Sequence, residues 1–214
     1  MKVSYVSITR PIDNEFMTPE QLIVYIARVS NPSHQSDVHS SDRLLRYLID
    51  NKHWSPFEMV DMTVEITTSR AIAHQLIRHR SFSFQEFSQR YAKVGETTEM
   101  IECRKAGSTN RQSSTEPIDL DDDMIQRIHT YQTDGMELYQ DMIKSGVANE
   151  CARFILPLNT QTRLYMKGSV RSWIHYLQVR MDEHTQKEHR DIANAIAMVF
   201  QEQFPLIYSY ILVV

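Results

Sequence analysis

Hydrophobic positions along the chain change period from block to block, and each change marks an element. Residues 2–9 set Val3, Tyr5 and Ser7 against Ser4, Val6 and Ile8, a β-rich run that predicts a strand. Thr18-Pro19-Glu20-Gln21 combines a capping hydroxyl, a proline at the first helical position and Gln three residues after the cap. It predicts a helix through LIVYIARVS that Asn31-Pro32 stops. A polar loop from Ser33 to Ser40 leads to a second helix, capped by Ser40 or Ser41, whose Leu44, Leu45, Leu48 and Ile49 face a core. Between Glu58 and Thr68, Met62, Val64 and Ile66 alternate with Thr63, Glu65 and Thr67, which predicts a strand. RAIAHQLIRHR follows as a helix-like segment, and SFSFQEFSQRYA keeps neither period and reads as an irregular connection.

Residues 92–118 are polar with scattered Gly, Ser and Pro, a long excursion of functional or mobile character. Residues 119–123 supply caps and negative charge for a helix carrying Met124, Ile125, Ile128, Tyr131, Leu138, Met142 and Ile143, with Gly135 as a point of kinking. ANECARFIL predicts a short helix ending near Pro157, and NTQTRLYMKG a strand on the alternation of Leu164 and Met166. SVRSWIHYLQVRM and HRDIANAIAMVFQEQF close the chain as two helices. No repeat, low-complexity tract or linker divides it. The expectation is therefore one α+β domain over residues 1–214, mixed, with a central and mostly antiparallel sheet flanked by helices.

Composition narrows the chemistry. The formal charge is −4, with 23 basic against 27 acidic residues, which argues against a general nucleic-acid coat. Only five glycines are present, and Gly95, Gly107, Gly135, Gly146 and Gly168 lie too far apart to form either glycine-rich phosphate cradle. Any phosphate must be held by side chains or isolated amides, and 16 of the 23 basic residues are Arg, the residue suited to bidentate anion recognition. Cys103 and Cys151 are too few for a disulfide framework or a zinc site and read as reduced thiols. No apolar run reaches the length of a membrane span, and MKVSYVSITRP has polar residues where a secretion signal needs apolar ones, so the expected location is the cytoplasm.

Arg78-His79-Arg80, Glu86, Ser88 and Arg90 are interleaved with Phe82, Phe84 and Phe87, and the aromatics suggest a partly buried cluster that meets a polyanion. Gln75 stands three residues before Arg78, near the same helical face, where its amide can read a base edge. A second set comprises Arg153 and, downstream, Arg171, His175 and Arg180. At about 100° per residue, Arg171, His175 and Gln178 share one helix face and Arg180 lies opposite Arg171, so one helix offers cations to two ligands. Trp173, Ile174, Leu177 and Met181 between them read as core. His53-Trp54-Ser55-Pro56 reads by itself as a turn. Among nine histidines, His184 and His189, like His74 and His79, are spaced wrongly for one helix face, and no metal is expected.

RHRSFSFQEFSQRY fits the RHR-x7-S pattern, from Arg78 to Ser88, and here the chain resembles the flavin-dependent thymidylate synthases. ARVS at 27–30, the His53-x-Ser55 step, Gln75, the AR-x-x-LPLN-x-x-TR run from Ala152 to Arg163, and Arg171 and Arg180 extend the likeness over nearly the whole chain. The resemblance implies reductive methylation of dUMP to dTMP, with methylenetetrahydrofolate as carbon donor, FAD as redox carrier and NADPH as reductant. It implies a homotetramer of mixed α/β fold with active sites at subunit interfaces. By the same resemblance Gln75, Arg78, Glu86, Phe87, Ser88, Gln89, Arg90, Arg153 and Arg180 are the dUMP set. His53, Ser55, Arg78, His79, Arg80, Glu86, Ser169, Val170, Arg171 and His175 are the FAD set. Ser169 and His175 stand where Asn is frequent in the family. Arg180 is expected to polarise the uracil, and Ser88, with no obvious base beside it, to orient and bind phosphate in preference to covalent attack. A nucleotide- or RNA-binding module competes with this reading, against the net charge and the lack of an RRM-like aromatic signature. So does a flavoprotein reductase acting on another substrate.

Overall fold

The alternation centred on Val64 is a strand, β2 (Asp61–Ser69), with Met62, Val64, Ile66 and Thr68 turned inward. The computed structural model describes residues 1–12, 17–37, 40–95, 98–100, 102–108 and 110–211. It fulfils the α+β expectation: β1 (Lys2–Ile8), β2, β3 (Ser83–Glu86) and β6 (Gln161–Ser169) form a four-stranded antiparallel sheet in the order β1-β2-β6-β3. A separate antiparallel hairpin joins β4 (Arg104–Ala106) and β5 (Ser114–Pro117). Contacts within the chain divide it into two units, one of Met1, Thr67–Leu76 and Gln85–Leu164, the other of Lys2–Ile66, Ile77–Phe84 and Tyr165–Val214.

In the second unit, α1 (Pro19–Ala27) begins with the expected reciprocal cap, Thr18 accepting from the Gln21 N–H and the Gln21 side chain accepting from the Thr18 N–H. The helix is shorter than its pattern suggests, because Arg28–Ser30 tightens into a 3₁₀ turn. The Arg28 guanidinium there donates to the carbonyls of His34 and Asp37 and to the Ser40 hydroxyl, pinning the polar loop, of which Val38 and His39 lie outside the described residues. Helix α2 (Ser41–Asp50) buries Leu45 and Leu48, and the Ser40 hydroxyl at its cap position accepts no N–H of the helix itself. Helix α6 (Val170–Arg180) starts where Ser169 accepts from the Ser172 N–H, and is fixed to β2 by the Trp173 Nε1–H donating to the Met62 carbonyl at 3.0 Å. Helix α7 (Lys187–Gln203) packs on α6 and β1 through Ile192, Ile196 and Phe200, and a short α8 (Pro205–Ile211) follows that no pattern announced. His184 precedes α7, so it and His189 never share a helix.

Helix α3 (Arg70–Leu76), in the first unit, ends before the RHR triplet, contrary to the helix-like reading of RAIAHQLIRHR. In the second unit those three residues form a turn closed by the Phe82 N–H on the His79 carbonyl at 3.2 Å. Packing overrides helical propensity here: Phe82 seats its ring 4.6 Å from that of Trp173 and against Gly168, where a side chain would collide. The next residues, expected to be irregular, are strand β3. Its four residues are too few for a period to register.

The first unit is built on α4 (Asp122–Lys144), capped by Asp121 accepting from the Met124 N–H at 2.8 Å. Its core face is Gln132, Met136 and Tyr139, and the Tyr139 hydroxyl accepts from the Val94 N–H at 2.9 Å. Of the apolar positions along this helix, Met124, Ile125, Tyr131 and Leu138 are exposed. Helix α4 is continuous through Gly135, whose missing side chain admits Pro157: a Cβ would lie 3.1 Å from its Cγ. α5 (Asn149–Ala152) and a 3₁₀ turn, Arg153–Ile155, end before Pro157 as expected. Residues 96, 97, 101 and 109 of the polar excursion lie outside the described residues. The remainder carries the hairpin and a bridge of Thr98 to Thr160.

Gly168→Ala should lower the urea midpoint, because the new Cβ would sit 2.4 Å from Phe82 Cδ1. Overpacking of this kind costs about 1–3 kcal/mol, and an unchanged midpoint would show that Phe82 yields freely. Glu20 on α1 is buried and accepts the Ile207 N–H at 2.8 Å at the start of α8. Burial raises its pKa from 4.5 to about 7. A carboxyl raised in this way stabilises the fold while protonated, and loses that contribution as pH climbs from 4.5 through about 7. Glu20→Gln keeps the acceptor and removes the titration. Its stability relative to the parent should therefore gain about 1–3 kcal/mol between pH 5 and pH 8, and a difference independent of pH in urea unfolding would contradict this account.

Candidate functional site

The RHR turn exposes two of its three members and buries part of the third. Arg78 and Arg80 are exposed and meet no acceptor among the described residues. The aromatic interleaving does not bury these arginines, and of its three rings only Phe82 is buried. His79 is half-buried, and its Nε2 accepts from the Arg180 Nε–H at 2.9 Å. Burial first, then the charges of Arg180 and His175, lower the His79 pKa from 6.5 to about 4, so its ring is neutral at physiological pH. The terminal amino groups of Arg180 meet no acceptor among the described residues.

The opposite faces expected of α6 are present. Arg171, His175 and Gln178 line a cleft of about 590 Å³ with Trp54, Glu58, Ser81, Ser172 and Ile174, whereas Arg180 turns to His79. Arg171 is ion-paired to Glu58, and both side chains stay about half exposed, at 52% and 48%. Ser169 spends its hydroxyl on the helix cap, and Val170 is buried with its N–H donated to the Val60 carbonyl at 2.8 Å. Contacts to a ligand at that helix start therefore fall chiefly to Arg171. Ser55 opens a 3₁₀ turn, Ser55–Glu58, and exposed His53 sets its ring edge-on to Tyr47.

The remaining predicted residues belong to the first unit. Glu86, at the end of β3, receives the Arg70 guanidinium and the Thr162 hydroxyl (2.9 Å) on the same oxygen, Oε1. Its Oε2 meets no donor among the described residues. The Phe87 N–H donates to the Arg163 carbonyl, and the Ser88 carbonyl accepts from the N–H groups of Tyr91 and Ala92, which fixes this turn through its backbone. The Ser88 hydroxyl is exposed, and Gln89 is buried. Arg90 reaches Glu150 at 3.1 Å in an exposed pair, while Arg153 lies over the Phe154 ring, 5.6 Å from its centroid. Gln75 is half-buried on α3, and because that helix stops at Leu76 it shares no helical face with Arg78.

Residues 14–206 match the family model described as thymidylate synthase complementing protein. A flavin-dependent thymidylate synthase of Synechocystis is 51% identical over 214 residues, with 97% of each chain covered. The chain belongs to the flavin-dependent thymidylate synthases. A probable member from Paramecium bursaria Chlorella virus 1 is 46% identical over 209 residues, again covering 97% of each. Among solved structures, a UMP/dUMP methylase of Streptomyces cacaoi bound with 5-Br dUMP superimposes with a TM-score of 0.83 at 26% identity, covering 98% of this chain and 93% of that one.

For this flavin-dependent thymidylate synthase, sequence reasoning missed Arg70 and Thr162, which reach Glu86 only through tertiary pairing. Thr162 lay unremarked inside the AR-x-x-LPLN-x-x-TR run, and Arg70 at the head of RAIAHQLIRHR. The Arg70 and Glu86 side chains are 22% and 18% exposed, so the pair is far better shielded than that of Arg171 and Glu58. A double-mutant cycle of Arg70→Met and Glu86→Gln in urea should return a coupling of about 1 kcal/mol or more. Strict additivity would show the pair to be idle.

Proposed function

We propose that this protein converts dUMP to dTMP by reductive methylation, in which dUMP, methylenetetrahydrofolate, NADPH and a proton give dTMP, tetrahydrofolate and NADP+. The observation that carries this reading is the set of cations that meet no acceptor among the described residues, on the segments bearing the family motif: Arg78, Arg80 and the terminal amino groups of Arg180. Desolvating such cations is unfavourable unless an anion meets them. The dUMP analogue held by the Streptomyces cacaoi methylase, a full-length structural relative, supports the choice of nucleotide.

The residues present fit FAD. Its pyrophosphate needs cations, and Arg171 stands in the first turn of an eleven-residue helix, beside a cleft whose 590 Å³ falls within the range usual for ligand pockets, about 300–1,000 Å³. His53, Ser55, Arg78, His79, Arg80, Glu86, Ser169, Val170, Arg171 and His175 are the proposed cofactor residues. When bound, FAD supplies the two-electron transfer that brings reducing power from NADPH to the new methyl group.

Arg180 places its charge against the uracil, favouring the N3-deprotonated form and the negative charge that builds on the ring as hydride arrives. The Ser88 hydroxyl meets no base among the described residues, so it binds and orients phosphate and does not act as a nucleophile. Gln75, Arg78, Glu86, Phe87, Gln89, Arg90 and Arg153 complete the proposed nucleotide set. Residues 1–214 act as one functional domain, a reading supported by the continuous family match across both units. The enzyme is a homotetramer with active sites at subunit interfaces; exposed Met124, Ile125, Tyr131 and Leu138 on α4 support burial of that face by another chain. It works in the cytoplasm, where its free Cys103 and Cys151 stay reduced.

The purified protein should show a flavin absorbance band that NADPH bleaches. Tritium release from C5-labelled dUMP should require NADPH and methylenetetrahydrofolate together. A band that recovers without dUMP and the folate would identify a reductase of another substrate, and a colourless protein releasing no tritium would overturn the reading.

A further inference from the structure

Two buried polar side chains in the second unit have no part in the roles above. Tyr176 and His189 are both 0% exposed, with the tyrosine hydroxyl 3.2 Å from His189 Nε2. The Tyr176 ring meets His79 edge-on, with centroids 5.0 Å apart and planes at 77°. His189 and Phe82 approach the same imidazole edge-on at 6.0 and 6.4 Å. Tyr176 and Arg180 are four residues apart on α6 and share a face, so the residue that walls His79 also precedes the one that bonds to it.

We propose that Tyr176, backed by His189, is a positioning residue for Arg180: its ring keeps His79 neutral and turned with Nε2 toward the Arg180 Nε–H, and that bond aims the terminal amino groups at the substrate. The aim at the substrate rests on the functional reading above, whereas the state of His79 does not. A guanidinium keeps its proton at any working pH, so the acceptor must be an unprotonated Nε2 with the ring hydrogen on Nδ1. Among the described residues, the charged and titratable groups around His79 are Arg180, His175 and Tyr176 on α6, His189 on α7, and Arg78 and Arg80 beside it in sequence. Every cation among them opposes a proton on His79. His189 is itself held neutral by burial and by Arg180 and His79, its pKa lowered to about 3. Opening the wall would admit water, which stabilises imidazolium, and a protonated His79 cannot accept from Arg180.

The test is ¹⁵N NMR of the histidine rings in the intact protein, read beside the pH profile of dUMP turnover. In the parent, His79 should carry hydrogen on Nδ1 at pH 7 and protonate near pH 4. Tyr176→Leu removes the ring and should raise the His79 titration, and with it the acid limb of kcat, by about one pH unit or more. At pH 5 kcat should fall about twofold or more with the flavin still bound, because about half of His79 would then be protonated. Tyr176→Phe keeps the ring but loses the bond to His189, so it should shift both readings the same way by less and restore most of the turnover. The proposal is overturned if parent His79 bears its hydrogen on Nε2 or titrates near 6.5, its ordinary value. It is equally overturned if neither variant moves the His79 titration. Where Tyr176→Leu fails to fold, the parent and the isosteric Tyr176→Phe decide the matter alone. The titration requires no turnover, so it separates failure of this proposal from failure of the functional reading.

Discussion

An arginine does not surrender its proton, so whatever its Nε–H meets must offer a lone pair. At Arg180 the partner is His79, which must therefore be neutral among cations. The neighbouring cations and the partial exclusion of water from its site together keep such a ring neutral. Phe82, Tyr176 and His189 supply the exclusion, and Phe82 in turn depends on the bare Cα of Gly168 and the face of Trp173. Strand β6, helix α6 and the turn after α3 are thus fitted to one hydrogen bond.

The arginines divide by how firmly the protein holds them. Arg28 and Arg70 are largely shielded and satisfied by nearby acceptors, and they act as structural staples. Arg90 and Arg171 pair with exposed glutamates, contacts worth about 0–1 kcal/mol. A phosphate can displace a bond that weak, so Glu150 and Glu58 keep their arginines oriented without competing seriously for them. Among the described residues Arg78 and Arg80 have no tether of this kind.

Legibility in the sequence followed the physics of each element. The cap at Thr18, the alternation centred on Val64 and the two faces of α6 are local periodic signals, and they reappear in the structure residue by residue. The RHR segment misled because its helical propensity is real but is outweighed by the seating of Phe82, a contact with a residue 86 positions further on. The exposed apolar positions of α4 show a different limit: hydrophobicity marks what avoids water, without saying whether its own chain provides the cover. Among the candidate site residues, their identities were readable from the motif. The Arg70 and Thr162 support of Glu86, and the wall behind His79, required the fold.

The meeting of Gly135 with Pro157 ties two distant stretches of chain to a common fate in evolution. Any side chain on α4 at position 135 would press on the proline ring and, through it, on the turn that carries Arg153. Neither position can drift alone: enlargement at one is tolerated only with retreat at the other. Covariation of these two positions among relatives would thus be a record of packing, set by a gap that takes a methyl group only if the proline ring yields by a few tenths of an ångström, even though one of them lies inside a motif otherwise notable for its arginines.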